Sequence, residues 1–132
     1  MRLTTSLTAA SFCIACSVVA GSQPAAAKDK PAGFQLDETT WTYTDKDGTK
    51  VQESIDSKGN WIANAVSGKH LDHGTSVMKA DKACFTSLMT KEGEVCWTTK
   101  TVAVGQSMDT TSDKGEKLTV TRTAYVPLSM PK

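Results

Sequence analysis

The chain has 132 residues, 15 basic against 14 acidic side chains, and 39% hydrophobic and 6% aromatic residues. That length holds one small domain and excludes a large catalytic assembly. Near-neutral charge with dispersed lysines offers no electrostatic footprint for nucleic acid.

Residues 1–27 read as a secretory signal peptide. Arg2 precedes an apolar run from about Leu7 to Ala20, and Gly21, Pro24 and the triplet Ala25-Ala26-Ala27 supply a cleavage region before Lys28-Asp29-Lys30. The run is too short for a membrane span and is broken by Ser6, Thr8, Ser11 and Ser17. Cleavage near Ala27 leaves 105 residues with 14 basic and 14 acidic side chains, because Arg2 departs with the leader. The expected location is the periplasm or the medium. Cys13 and Cys16 have C-x-x-C spacing but sit inside the leader and are discarded with it. Lipidation at Cys16 is the minor alternative, since Cys13 occupies the place where a Leu-like residue belongs. Cys84 and Cys96 remain, an even number in an oxidising compartment, and are expected to form a structural disulfide. No neighbouring cation or helix depresses either thiol pKa for redox work.

Residues 28–40, with Pro31, Gly33 and unpatterned charges, read as a flexible lead-in whose Phe34 and Leu36 can dock. Residues 41–132 form a single β-domain. Short runs rich in Thr, Val, Ile, Trp and Tyr alternate with turn clusters such as Asp45-Lys46-Asp47-Gly48, Ser57-Lys58-Gly59-Asn60 and Ser112-Asp113-Lys114-Gly115. Spacing of this kind predicts an all-β fold, an antiparallel meander of about seven or eight strands forming a small barrel or two-layer sandwich. No window carries helical periodicity. The predicted strands are 40–44, 50–55, 61–66, 75–79, 83–89, 94–99, 101–104 and 117–126. Two-residue alternation assigns Trp41, Tyr43, Val51, Ile55, Trp61, Ala63, Ala65, Val77, Phe85, Val95, Trp97, Leu118, Val120 and Ala124 to the inward face.

The sharpest chemical feature is Gly68-Lys69-His70-Leu71-Asp72-His73-Gly74, read as an inter-strand loop. If the glycines let it bend, His70, Asp72 and His73 could converge on Zn or Cu. In a straight strand His70 and Asp72 would share one face and His73 would point to the other. The plainer reading is a polar connection with Asp72 accepting a local hydrogen bond. Met78, Met89, Met108 and Met130 lack copper-type clustering and suit gap-filling. Trp41, Trp61 and Trp97 could stack on a ligand, but their inward positions favour the core. Gly105-Gln106-Ser107-Met108-Asp109 lacks the closing glycine of a nucleophile elbow, and no glycine-rich phosphate loop occurs. Glu92/Glu94 and Asp45/Asp47 lie in solvated turns, unsuited to tuned acid–base work. No catalytic residue is assigned.

The segments W-T-Y-T-D-K-D-G-T, D-S-K-G-N-W, G-K-H-L-D-H-G-T, K-A-C-F and E-V-C-W, from Trp41 to Trp97, resemble small secreted bacterial β-proteins. More distantly, they are similar to periplasmic inhibitors of lysozyme or proteases, small β-barrels with a Trp-rich core and one disulfide. The resemblance implies compartment and fold and transfers no functional position. The expected function is non-catalytic: a secreted or periplasmic β-domain, a monomer, binding a protein or envelope component, with inhibition as one form of that binding. Lys91-Glu92-Gly93 or the His70–His73 loop would contact the partner. The alternative is a small metal-binding protein using His70, Asp72 and His73. An empty barrel interior would instead imply a small apolar ligand.

Overall fold

The structure is a computed structural model and describes residues 35–130. The expected signal peptide, including Cys13 and Cys16, and Phe34 lie outside these residues. Among the described residues there are eight strands: β1 (Thr39–Thr44), β2 (Lys50–Ile55), β3 (Asn60–Ala65), β4 (His70–Lys79), β5 (Lys82–Ser87), β6 (Glu94–Thr98), β7 (Ser107–Thr111) and β8 (Lys117–Thr123). All pairings are antiparallel, and the sheet runs β6-β5-β4-β3-β2-β1-β8-β7. Only β6 and β7 lack a full ladder. A bridge between Trp97 and Ser112, the Asp113 N–H on the Cys96 carbonyl at 2.9 Å, and the Thr110 hydroxyl on the Thr98 carbonyl tie that seam. The result is a nearly closed up-and-down barrel, which leaves little free strand edge. No described helix is long and apolar enough to cross a membrane.

Three hairpins share one turn chemistry. In Asp45–Thr49, Asp56–Asn60 and Ser112–Glu116 the first side chain accepts backbone N–H groups two and four residues on, at 2.8–3.2 Å. The fourth residue of each is a glycine with φ of 80–84°, a backbone region that other residues enter at a cost. These turns fix the registers and hence which side chains face inward.

The core holds Leu36, Trp41, Val51, Ile55, Trp61, Ala63, Ala83, Val102, Met108 and Val120. Trp61 meets Phe85 edge-to-face at 5.9 Å between ring centres, a favoured aromatic geometry. Gly74 lets them fit: a Cβ there would lie 1.8 Å from the Thr86 carbonyl oxygen and 3.0 Å from the Trp61 indole nitrogen. Cys84 and Cys96 face each other across β5 and β6 and form the disulfide. Leu36 docks as expected, and β1 begins at Thr39, within the stretch read as lead-in.

Four sequence expectations are corrected. Residues 101–104 form no strand; they belong to the β6–β7 connection, whose Val102 is buried in the core, and the seventh strand is β7 at 107–111. The last strand stops at Thr123. Beyond it the chain straps the outside of β1 and β2, where the Val126 N–H donates to the Thr40 hydroxyl and the Val126 carbonyl accepts from Ser54; Ala124 is exposed, not inward. Val77 faces outward beside Cys84, at 48% exposure. Finally, the histidine segment is not a loop: β4 starts at His70.

Candidate functional site

Inward-facing residues of an eight-stranded barrel either fill its interior or line a cavity. Here a cavity of about 630 Å³ remains. Its walls are mainly apolar and aromatic, with Trp41, Trp61, Phe85, Trp97, Leu71 and Met108 among them. All three tryptophans are inward as expected and line the cavity, and Trp41 and Trp61 also belong to the core. Trp41 and Trp61 satisfy their indole N–H groups on the Thr39 hydroxyl and the Thr75 carbonyl, at 2.8 and 3.0 Å. One end is lined by Asp45, by the exposed turn residues Lys46, Glu92 and Glu116, and by the exposed Lys117 at the start of β8, so the cavity meets solvent there. Leu36 lines the opposite end.

A row of side chains crosses the inner wall in register. Trp41 on β1 stands opposite Glu53 on β2, Glu53 opposite Ala63 on β3, and Ala63 opposite Asp72 on β4. Glu53 is the chemically loaded member. The Tyr43 hydroxyl donates to its Oε2 at 3.0 Å. Glu53 is partly exposed, but the surface it exposes is the cavity's, and the walls hold it away from bulk water. Burial penalises its charged form and pushes its pKa up to about 7; the Tyr43 hydrogen bond opposes the shift and the Asp72 charge adds to it. Burial and then the Glu53 charge push the Tyr43 hydroxyl well above the usual tyrosine range, so Tyr43 stays a donor. This pair can hold or exchange a proton with whatever occupies the cavity.

The sequence reading missed Glu53. The signal was present: Val51 and Ile55 were both assigned inward, and alternation places Glu53 between them on the same face. A carboxylate at a core position of a strand marks a functional site more sharply than carboxylates in turns.

The structure parts the predicted metal-ligand set. Ala63 pairs with Asp72 but Asn64 pairs with His70, so Leu71 is an extra residue in β4, a β-bulge. The inserted residue reverses the straight-strand expectation. His70 and His73 come to share the outer face and Asp72 turns inward, where its Oδ1 accepts from the Ser87 hydroxyl at 2.7 Å and from the His73 N–H at 2.8 Å. His70 Nε2 lies 3.1 Å from His73 Nδ1, and the Asn64 side-chain oxygen accepts from His70 Nδ1 at 2.8 Å. Because that oxygen only accepts, the neutral His70 ring carries its proton on Nδ1 and turns the Nε2 lone pair toward His73. Among the described residues, the one group of three ligand-type side chains with converging atoms is Cys84, Glu94 and Cys96, where both sulfurs are spent in the disulfide. Met108 is buried and Met78 partly so, whereas Met89 and Met130 are exposed.

No family model, no curated protein and no solved structure matches this chain.

Proposed function

We propose that this domain is a binding protein whose ligand enters the barrel, an apolar or aromatic body carrying a polar group that reaches Glu53 and Tyr43. The observation that carries this is the cavity itself. Its volume of about 630 Å³ lies within the roughly 300–1,000 Å³ typical of small-molecule sites, and its walls combine aromatic and aliphatic side chains with charged and hydroxyl groups, Glu53 and Asp72 among them. Binding without catalysis is retained from the sequence; the cavity changes the kind of partner. A pocket of this size takes a small molecule or one projecting group, not a flat protein face. The leader pattern of residues 1–27 and the disulfide support a periplasmic or secreted location, which N-terminal sequencing of protein recovered from culture tests.

A solvatochromic apolar dye, 8-anilinonaphthalene-1-sulfonate or its uncharged relative N-phenyl-1-naphthylamine, tests the cavity. The uncharged dye should bind at one per chain and brighten. It should be lost from a filled variant, Ala63→Phe with Ala83→Phe, that keeps the β circular dichroism. Equal uptake by the filled variant, or none by the natural protein, overturns the proposal.

A second reading rests on the histidine pair. Two nitrogens 3.1 Å apart subtend an angle of about 100° at an ion about 2.0–2.1 Å from each, and Asn64 orients His70 as second-sphere groups do. We propose an outer-face site for Zn or Cu formed by His70 and His73, with Asp72 excluded from it. Calorimetric titration with Cu(II) and Zn(II) should give one site that disappears in His70→Ala; identical heats from that variant refute it.

A further inference from the structure

We propose that the cavity selects a positively charged ligand, an organic ammonium or guanidinium with an aromatic or alicyclic body, seated between Glu53 and Asp72. This rests on the cavity being the binding site and adds the charge of what it binds.

The row Trp41, Glu53, Ala63, Asp72 sets two carboxyl groups on either side of a residue that projects only a methyl. Two strand spacings separate their backbones, about 10 Å, and the space over Ala63 is part of the cavity. Glu53 receives a single hydrogen bond among the described residues, from Tyr43, and Asp72 uses Oδ1 for Ser87 and His73. Accepting capacity on both carboxyl groups is thus left facing the cavity. A cation placed over Ala63 would meet both negative groups in a poorly screened interior, where charge pairing is stronger than at a surface. The Trp61 and Phe85 rings in the wall offer aromatic surface for the cation or its body.

The other charge types fit badly. An anion would bring a third negative charge beside Glu53 and Asp72. A neutral ligand would leave their charge uncompensated. The titratable groups acting on Glu53 are Tyr43 on the adjacent β1 and Asp72 on β4, one strand beyond Ala63 of the adjacent β3; Asp45 lies beyond Tyr43 at the mouth. The lining's basic residues, Lys46 and Lys117, are exposed at the mouth, where Lys46 pairs with Glu116 at 3.9 Å. Arg122, paired with Trp41 on β8, continues the row on the inward face beyond Trp41; it is not part of the cavity lining, and its guanidinium donates to the Val102 carbonyl at 2.9 Å.

Three compounds that share one ring and differ in charge test this: 1-naphthylmethylamine as the cation, 1-naphthylmethanol as the neutral analogue and 1-naphthoate as the anion. Affinities are measured by calorimetry at pH 7.5 on the intact domain, with N-phenyl-1-naphthylamine uptake measured in parallel. The cation should bind at least tenfold tighter than the alcohol and the anion weakest. Glu53→Gln should remove the preference for the amine over the alcohol, and Asp72→Asn should reduce it. Below about pH 7, amine binding should release protons to the buffer, because the cation favours the ionised form of Glu53. Equal affinity for amine and alcohol, or tighter binding of the anion, overturns the charge assignment and leaves the cavity reading intact if the dye still enters. If the dye also fails to enter, the cavity reading falls and the charge assignment falls with it.

Discussion

Glu53 makes folding stability depend on pH in an unusual direction. Most buried carboxyl groups that are paired with cations stabilise a fold as pH rises; Glu53, facing Tyr43 and Asp72, does the reverse. Its pKa moves from 4.5, the value expected when unfolded, up to about 7 in the folded barrel. Between these values the folded state binds more protons than the unfolded one, so stability falls as pH climbs. The full span corresponds to about 3 kcal/mol, of which roughly 2–3 kcal/mol is lost between pH 5 and pH 8. Glu53→Gln keeps the shape and an acceptor for Tyr43 but cannot ionise. The variant and the natural protein should therefore have similar stability at pH 5. By pH 8 the variant should be more stable by roughly 2–3 kcal/mol, on the order of 10 °C or more in Tm for a domain of this size. Urea unfolding of both proteins at pH 5, 6, 7 and 8, with the disulfide intact, gives the difference free of other titrating groups. A gap that stays constant across this range would show that Glu53 is not desolvated, and the argument built on its environment would fail.

Three further perturbations test the scaffold. Gly74→Ala drives a methyl to 1.8 Å from the Thr86 carbonyl oxygen, so β4 and β5 must separate; soluble yield should fall or Tm drop by more than about 10 °C, and a normal melt would contradict the packing. Reducing the Cys84–Cys96 disulfide opens a loop of twelve residues' separation and should cost about 3 kcal/mol, read as a lowered urea midpoint with reductant. Asp56→Ala removes the side-chain acceptor of the Lys58 and Asn60 N–H groups in an exposed turn, and should cost about 1 kcal/mol by the same assay. The Asn60 hydrogen bonds hold the Asp56 carboxyl below its usual pKa, so this loss should shrink when the solution is acidified enough to protonate it.

The sequence alone determined the class of fold and most of its elements. Turns built on an Asp or Ser acceptor and a glycine three residues later are chemical statements that need no tertiary context. The alternation between them correctly turned Trp41, Tyr43, Val51, Trp61, Phe85 and Trp97 inward, and Cys84 and Cys96 were correctly expected to pair. Local signals failed where a local pattern has two readings. Thr101-Val102-Ala103-Val104 has strand composition, yet it is an irregular connection that buries Val102 and exposes Val104, while Ser107–Thr111 is polar enough to look like a loop and is held as a strand by β8. The histidine segment shows the limit most clearly. One extra residue, Leu71, changes the face of His70 relative to the rest of β4, and nothing in His-Leu-Asp-His announces a bulge that exists only relative to the register of β3. The cavity belongs wholly to the tertiary structure: whether inward residues fill a barrel depends on how eight strands close, and small Ala63 and Ala83 are among the residues that line the space left open. Glu53 lies between the two cases. Its inward position was written in the alternation, but its raised pKa and its place in a row with Trp41 and Asp72 required four strands to be brought into register.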